Sequence, residues 1–153
     1  KVRVAVPVGV EFEKAQRIAE QRTDWIKKQL RKFSQSKAKQ IFKKPDGAEL
    51  ITIKKYLRNR VEHLAKRHGF QFNKVSFKNM KTRWGSCSPK NNISFNILMA
   101  HLPKKFQDYI ILHELLHTRI KDHKKGYWAE LDRLTGDANG FHKELKEKYT
   151  FYN

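Results

Sequence analysis

His113, Glu114 and His117 stand at the spacing H-E-x-x-H, and His123 follows six residues later. The run 110–117 is otherwise apolar and reads as a helix. At 100° per residue, His113 and His117 lie about 40° apart on one face and about 6 Å apart along the axis. Two imidazole nitrogens so placed can meet one tetrahedral Zn²⁺ at roughly 2.0–2.1 Å. Glu114 points about 100° round the helix from His113. Its carboxylate then misses the cation but reaches a water beside it, the position of a general base for metal-assisted hydrolysis. A core helix with hydrogen-bonded histidines is the plainer reading. Two imidazoles and a carboxylate in so apolar a segment would, however, be costly to bury without a strong partner.

Two residues compete to be the third ligand. His123 lies beyond residues 118–122, where the helix must end and the chain reverse sharply, yet no Gly stands there to relieve left-handed strain. Its spacing equals that of the metzincins, whose pattern places Gly where this chain has Ile120. Glu130, on the next helical segment, would instead complete a His-His-Glu set. The shorter reach favours His123, since it requires no second helix to be placed first.

The elements that must position these groups can be read from periodicity. Pro103 suits a first helical residue, and Phe106, Tyr109, Ile110, His113, Leu116, His117 and Ile120 share one stripe. Ile111 and Leu115 make the opposite side apolar, so burial on most faces is expected. An earlier helix opens with Asp46 as N-cap and Glu49 at the capping-box position, carries Leu50, Ile53, Leu57, Val61, Leu64 and His68 as a stripe, and ends at Gly69. His63 and His68 have no third ligand nearby and read as structural.

Three short strands are expected at 74–79, 81–86 and 92–97, the last two joined by a turn over 88–91. The third lies just ahead of the His-bearing helix. Asn92, Ser94 and Asn96 are therefore candidates for a free edge that takes an extended peptide by main-chain bonding, against the reading of an ordinary polar-faced strand. Helices are expected at 124–134 and 139–149. The Tyr127 hydroxyl either stabilises an oxyanion or packs in the core. Toward the N-terminus, Val2, Val4 and Val6 alternate as a short strand. Residues 11–33 have helical periodicity with a break near Thr23-Asp24, and 34–44 read as a basic linker.

At 153 residues the chain suits one domain, with a strand and basic helical part over 1–44 and a catalytic core over 45–153. Its formal net charge of +19, heavier in the first half, attracts polyanions. The alternative to a peptidase is therefore a nucleic-acid-associated basic module whose zinc site is structural or acts on DNA-bound proteins. Against it stands the plainer reading of solvated basic faces with at most non-specific nucleic-acid contact. No motif for reading nucleic-acid sequence is present. The lone Cys87 excludes an internal disulfide and suits a reducing, cytoplasmic setting. No apolar run is long enough for a membrane span, no signal peptide is visible, and a start at Lys1 suits a trimmed piece of a longer protein.

Taken in order, Arg83-Trp84-Gly85-Ser86-Cys87, Ile93-Ser94-Phe95-Asn96, His113-Glu114-Leu115-Leu116-His117 and the segment from His123 to Trp128 resemble the YgjP-like metallopeptidase family. That family is related to the SprT-like and minimal gluzincin peptidases. The resemblance implies an α+β, zincin-like fold with a small antiparallel or mixed sheet packed on the active-site helix. It implies one catalytic Zn²⁺, with His113, His117 and His123 as ligands, Glu114 as base, and a peptide or protein substrate. Tyr127 stands where the family often has Phe. The segment 83–87 has no chemical explanation at this level; Trp84 could pack beneath the helix and Cys87 could approach the metal.

Overall fold

β3, at Asn92–Asn96, is the strand around which the fold assembles. The computed structural model describes residue 9, residues 11–25, residue 27 and residues 45–149. The chain divides into two compact units, Lys1–Ala38 and Lys39–Asn153. In the first, α1 spans Phe12–Gln21, and residues 23–25 are helical again after a turn at Arg22. The strand expected over Val2–Val6 and the linker expected over 34–44 lie outside the described residues.

The second unit opens with α2, Gly47–His68. Asp46 Oδ1 accepts the Glu49 N–H at 3.0 Å, satisfying one of the orphan donors of the first turn. The helix stops at Gly69, whose φ of 67° is the left-handed conformation that suits glycine. Leu57, Val61, Leu64 and Ala65 are its buried face.

A three-stranded sheet follows: β1 Lys74–Lys78, β2 Gly85–Cys87 and β3, in the order β1-β3-β2. β1 runs parallel to β3, with Val75 opposite Ile93 and Phe77 opposite Phe95. β2 runs antiparallel, with Gly85 opposite Phe95 and Cys87 opposite Ile93. The turn over 88–91 is the expected one. Asn91 takes its left-handed position (φ 56°), and Ser88 bonds to Asn92 through both its N–H and its Oγ.

One expectation is overturned here. Asn92, Ser94 and Asn96 do not form a free edge, because β3 is bonded on both sides. Ser94 Oγ meets Ser76 Oγ at 2.9 Å, and Asn96 is fully buried. The physical reason is burial. Ile93 and Phe95 are 1% and 0% exposed and need a neighbour on each flank, whereas three-residue β2 has no comparable apolar payload. The second expected strand is also shorter than its pattern, since residues 79–84 loop before Gly85.

Ile97–His101 is a 3₁₀ turn, after which α3 spans Lys104–Leu116, with Pro103 as its N-cap. As expected, α3 is buried nearly all round: Phe106, Tyr109, Ile110, Ile111, Leu112, Leu115 and Leu116 all belong to the core. Each such side chain contributes on the order of 1.5–3 kcal/mol. In the first half of α3, Gln107 and Asp108 have their polar groups matched. Gln107 Nε2 donates to Leu102 O at 2.8 Å, Gln107 Oε1 accepts from the Tyr56 hydroxyl at 3.0 Å, and Arg60 grips Asp108 with two 2.6 Å bonds that tie α2 to α3. α4, Lys125–Thr135, ends at Gly136 (φ 82°), and α5 spans Ala138–Lys148. The architecture of this second unit is α+β, with the mixed sheet, α2, α4 and α5 packed around α3. Among the described residues, no helix is long and apolar enough to cross a membrane.

Candidate metal centre

α3 carries His113 and Glu114 in its last turn, and His117 is the residue that caps it, still right-handed at φ −64° and ψ −12°. The chain then turns by ordinary hydrogen bonds: Thr118 N to Leu115 O at 2.9 Å, and Arg119 N and Ile120 N to Leu116 O at 3.0 and 2.9 Å. No residue between His117 and His123 has positive φ, which removes the objection that this reversal lacks a glycine.

What brings His123 back is a pair of pins on the intervening loop. Arg119 donates to Gly69 O at 2.5 Å and lies over the Phe70 ring at 4.4 Å, fastening the loop behind α2. Lys121 donates to Asn91 Oδ1 at 2.5 Å and to Ser88 O at 3.2 Å, fastening it to the β2–β3 turn. Neither residue stands out in the sequence, because surface Arg and Lys give no periodic signal.

The three imidazoles converge. His117 Nε2 lies 3.0 Å from His123 Nε2, and His123 Nε2 lies 3.2 Å from His113 Nε2. The Nδ1 of His117 is 2.9 Å from Ile120 O, so it carries the proton donated there and leaves the Nε2 lone pair facing inward. Burial, with smaller contributions from His117 and His123, brings His113 down to about 3, and burial also lowers His117. Both shifts favour the neutral ring, the form in which imidazole binds metal. His113 Nδ1 is buried without a hydrogen-bond partner among the described residues, so its polar contacts run through Nε2. The three ring nitrogens lie close enough together to share one cation, and three nitrogen donors suit Zn²⁺. The residues therefore fit a metal ion.

Tyr127 packs under this cluster. Its ring stacks on His117 at 4.6 Å and 21°, and its hydroxyl donates to His113 O at 3.0 Å. The oxyanion reading of Tyr127 is thereby corrected: the residue is fully buried and its hydroxyl is engaged by main chain. Glu130, the rival ligand, is instead gripped twice by Arg133, at 2.7 and 2.9 Å.

Glu114 is nearly buried beside the imidazoles, in an open cavity of about 380 Å³ lined by Arg83, Gly85, Ser86, Cys87, Lys121 and the three histidines. Burial pushes its carboxyl up to about 8, and the charge of Arg83 opposes this. A metal cation nearby acts in the same direction as Arg83. A Cβ on Gly85 would fall 2.5 Å from Glu114 Cγ and 2.6 Å from Oε1, so the carboxyl occupies the space that a side chain at 85 would need. Sequence reading passed over this, although a glycine inside a strand is itself a signal of close approach.

β2 forms the wall above Glu114. Asn96 N bonds to Trp84 O at 2.8 Å and Ser88 N to Asn92 O at 2.9 Å, so the even-numbered residues of β2 face β3. By antiparallel alternation, the N–H and C=O of Gly85 and Cys87 point away from it, toward the cavity side. Among the described residues, β1 and β2 are the two outer strands, and β2 is the one that lines the cavity.

This fold and site define a zincin-like metallopeptidase domain. The chain matches the YgjP-like metallopeptidase domain family over residues 48–148, and it belongs to that family. Two solved structures share the fold. Jannalysin of Methanocaldococcus jannaschii, a metallopeptidase zymogen, is 21% identical with a TM-score of 0.52, covering 60% of this chain and 95% of that one. Abylysin of Pyrococcus abyssi, also a metallopeptidase zymogen, is 21% identical with a TM-score of 0.51, covering 63% and 99%. No curated protein matches the chain.

Proposed function

We propose that this protein is a zinc-dependent peptidase in which His113, His117 and His123 hold a single Zn²⁺ and Glu114 is the general base. The observation that carries this is the convergence of three imidazoles, with His123 Nε2 lying 3.0 Å from His117 Nε2 and 3.2 Å from His113 Nε2, in a cavity that Glu114 also lines. Bound there, zinc supplies Lewis acidity, polarising the scissile carbonyl and making water more acidic. Glu114 accepts the proton from the attacking water and passes it to the leaving amine nitrogen, so the C–N bond breaks with no net change in protons on the enzyme. An extended peptide pairs with the outward N–H and C=O of Gly85 and Cys87, which lays its backbone across Glu114.

The test is Glu114→Gln. It preserves shape and leaves all three imidazoles in place, so zinc content stays at one per chain while peptide cleavage falls by about 10²–10⁴. Cleavage at the wild-type rate by the zinc-loaded variant defeats the base assignment.

A further inference from the structure

The segment Arg83-Trp84-Gly85 is explained so far only at its glycine. Arg83 is exposed and lines the same cavity as His113 and Glu114. Among the described residues its guanidinium has neither an ion pair nor a hydrogen bond; the residue's one bond is made by its backbone carbonyl. Lys121, the other cation of the cavity, is held by Asn91 and Ser88 and is not available in this way.

The position of Arg83 is built, not incidental. Asn96 is 0% exposed, and its amide Nδ2 donates to Met80 O at 2.7 Å and to Arg83 O at 3.1 Å. Its own N–H bonds to Trp84 O at 2.8 Å, and its Oδ1 accepts from Leu98 N at 3.2 Å. A buried amide is tolerated only when its bonds are made, and three of these four fasten the loop that presents Arg83. The loop runs straight into Gly85, where β2 begins. A peptide lying along β2 enters the cavity that Arg83 also lines. Among the described residues, Glu114 is the one carboxylate that lines the cavity.

Resting on the peptidase reading, we infer that Arg83 is a specificity residue that pairs with a carboxylate of the bound peptide, either an Asp or Glu side chain near the scissile bond or a free C-terminus. Guanidinium is suited to this by its planar fork, which takes both carboxylate oxygens. A solely electrostatic role, acting on Glu114, would change the rate for every substrate alike. Carboxylate recognition changes KM for some substrates and not others.

The experiment digests one synthetic peptide library, prepared with free and with amidated C-termini, using zinc-loaded wild type and Arg83→Gln, and maps cleavage sites by mass spectrometry. The expected result is an enrichment of Asp and Glu at one position beside the cut, about tenfold in kcat/KM and carried by KM, which disappears in Arg83→Gln and turns to Lys in Arg83→Glu. Dependence on the free terminus instead identifies that carboxylate as the one bound. A second readout avoids turnover: zinc-loaded Glu114→Gln binds the preferred fluorescein-labelled peptide, and addition of Arg83→Gln weakens that binding by a similar factor. A preference that survives Arg83→Gln, or cleavage indifferent to carboxylates in both libraries, overturns the inference and leaves the peptidase reading standing. Wild type that neither cleaves nor binds any peptide removes both.

Discussion

Gly85 on β2 and Glu114 on α3 share one small volume: a Cβ on the first would fall 2.5 Å from Cγ of the second. Backbone and side chain are in contact where every other residue type would collide. The side chain of the candidate base therefore lies directly against the backbone of β2.

Replacing that glycine tests the arrangement. Gly85→Ala is expected to keep its fold and its zinc, because the histidines are not displaced, while Glu114 swings out of place. A misplacement of about 1 Å costs on the order of 100-fold in rate. Metal content measured alongside cleavage separates the two effects, and an unimpaired kcat would contradict the packing argument.

Tyr127→Phe removes a buried hydroxyl that donates to His113 O at 3.0 Å. Stability is expected to drop by about 1 kcal/mol in urea titration, with that carbonyl left short of a donor. Turnover should stay within a few-fold of wild type, since the hydroxyl faces the main chain of α3. A loss of several hundred-fold in kcat would restore the oxyanion role discarded above.

Asn96→Ala strips the amide that fastens the loop carrying Arg83 and leaves the carbonyls of Met80 and Arg83 and the Leu98 N–H without it. With net values of about 0.5–1.5 kcal/mol per bond and a cavity added, a loss of about 3 kcal/mol is expected. Chemical denaturation measures it. A change smaller than 1 kcal/mol would show that the clamp is dispensable.

Metal removal should weaken the fold as well as silence it. Without a cation, the close imidazole nitrogens at 3.0 and 3.2 Å have no common partner. Ligand linkage gives about 2.7 kcal/mol when free zinc is a hundred times its Kd. Thermal melting with a chelator, then with zinc restored, is expected to show a reversible rise in Tm. An identical Tm in both states would argue against a metal held by the native fold.

The local parts of this protein were readable along the chain. The helix at Lys104–Leu116, the caps at Asp46 and Gly69, the turn before Asn92 and the pairing of His113 with His117 all depend on neighbours within about four residues, where helical and turn geometry leave little choice. His123 was legible by its spacing, but its arrival depends on Arg119 and Lys121 reaching Gly69 and Asn91, contacts 50 and 30 residues away. Strand alternation reveals which side chains share a face but carries no information about which strand lies beside which. Alternation therefore makes Asn92–Asn96 look like a candidate edge strand, whereas the packing of Ile93 and Phe95 places it in the middle of the sheet. The aim of Glu114, the engagement of the Tyr127 hydroxyl and the presentation of Arg83 are likewise long-range outcomes, fixed only when sheet and helix close on one another.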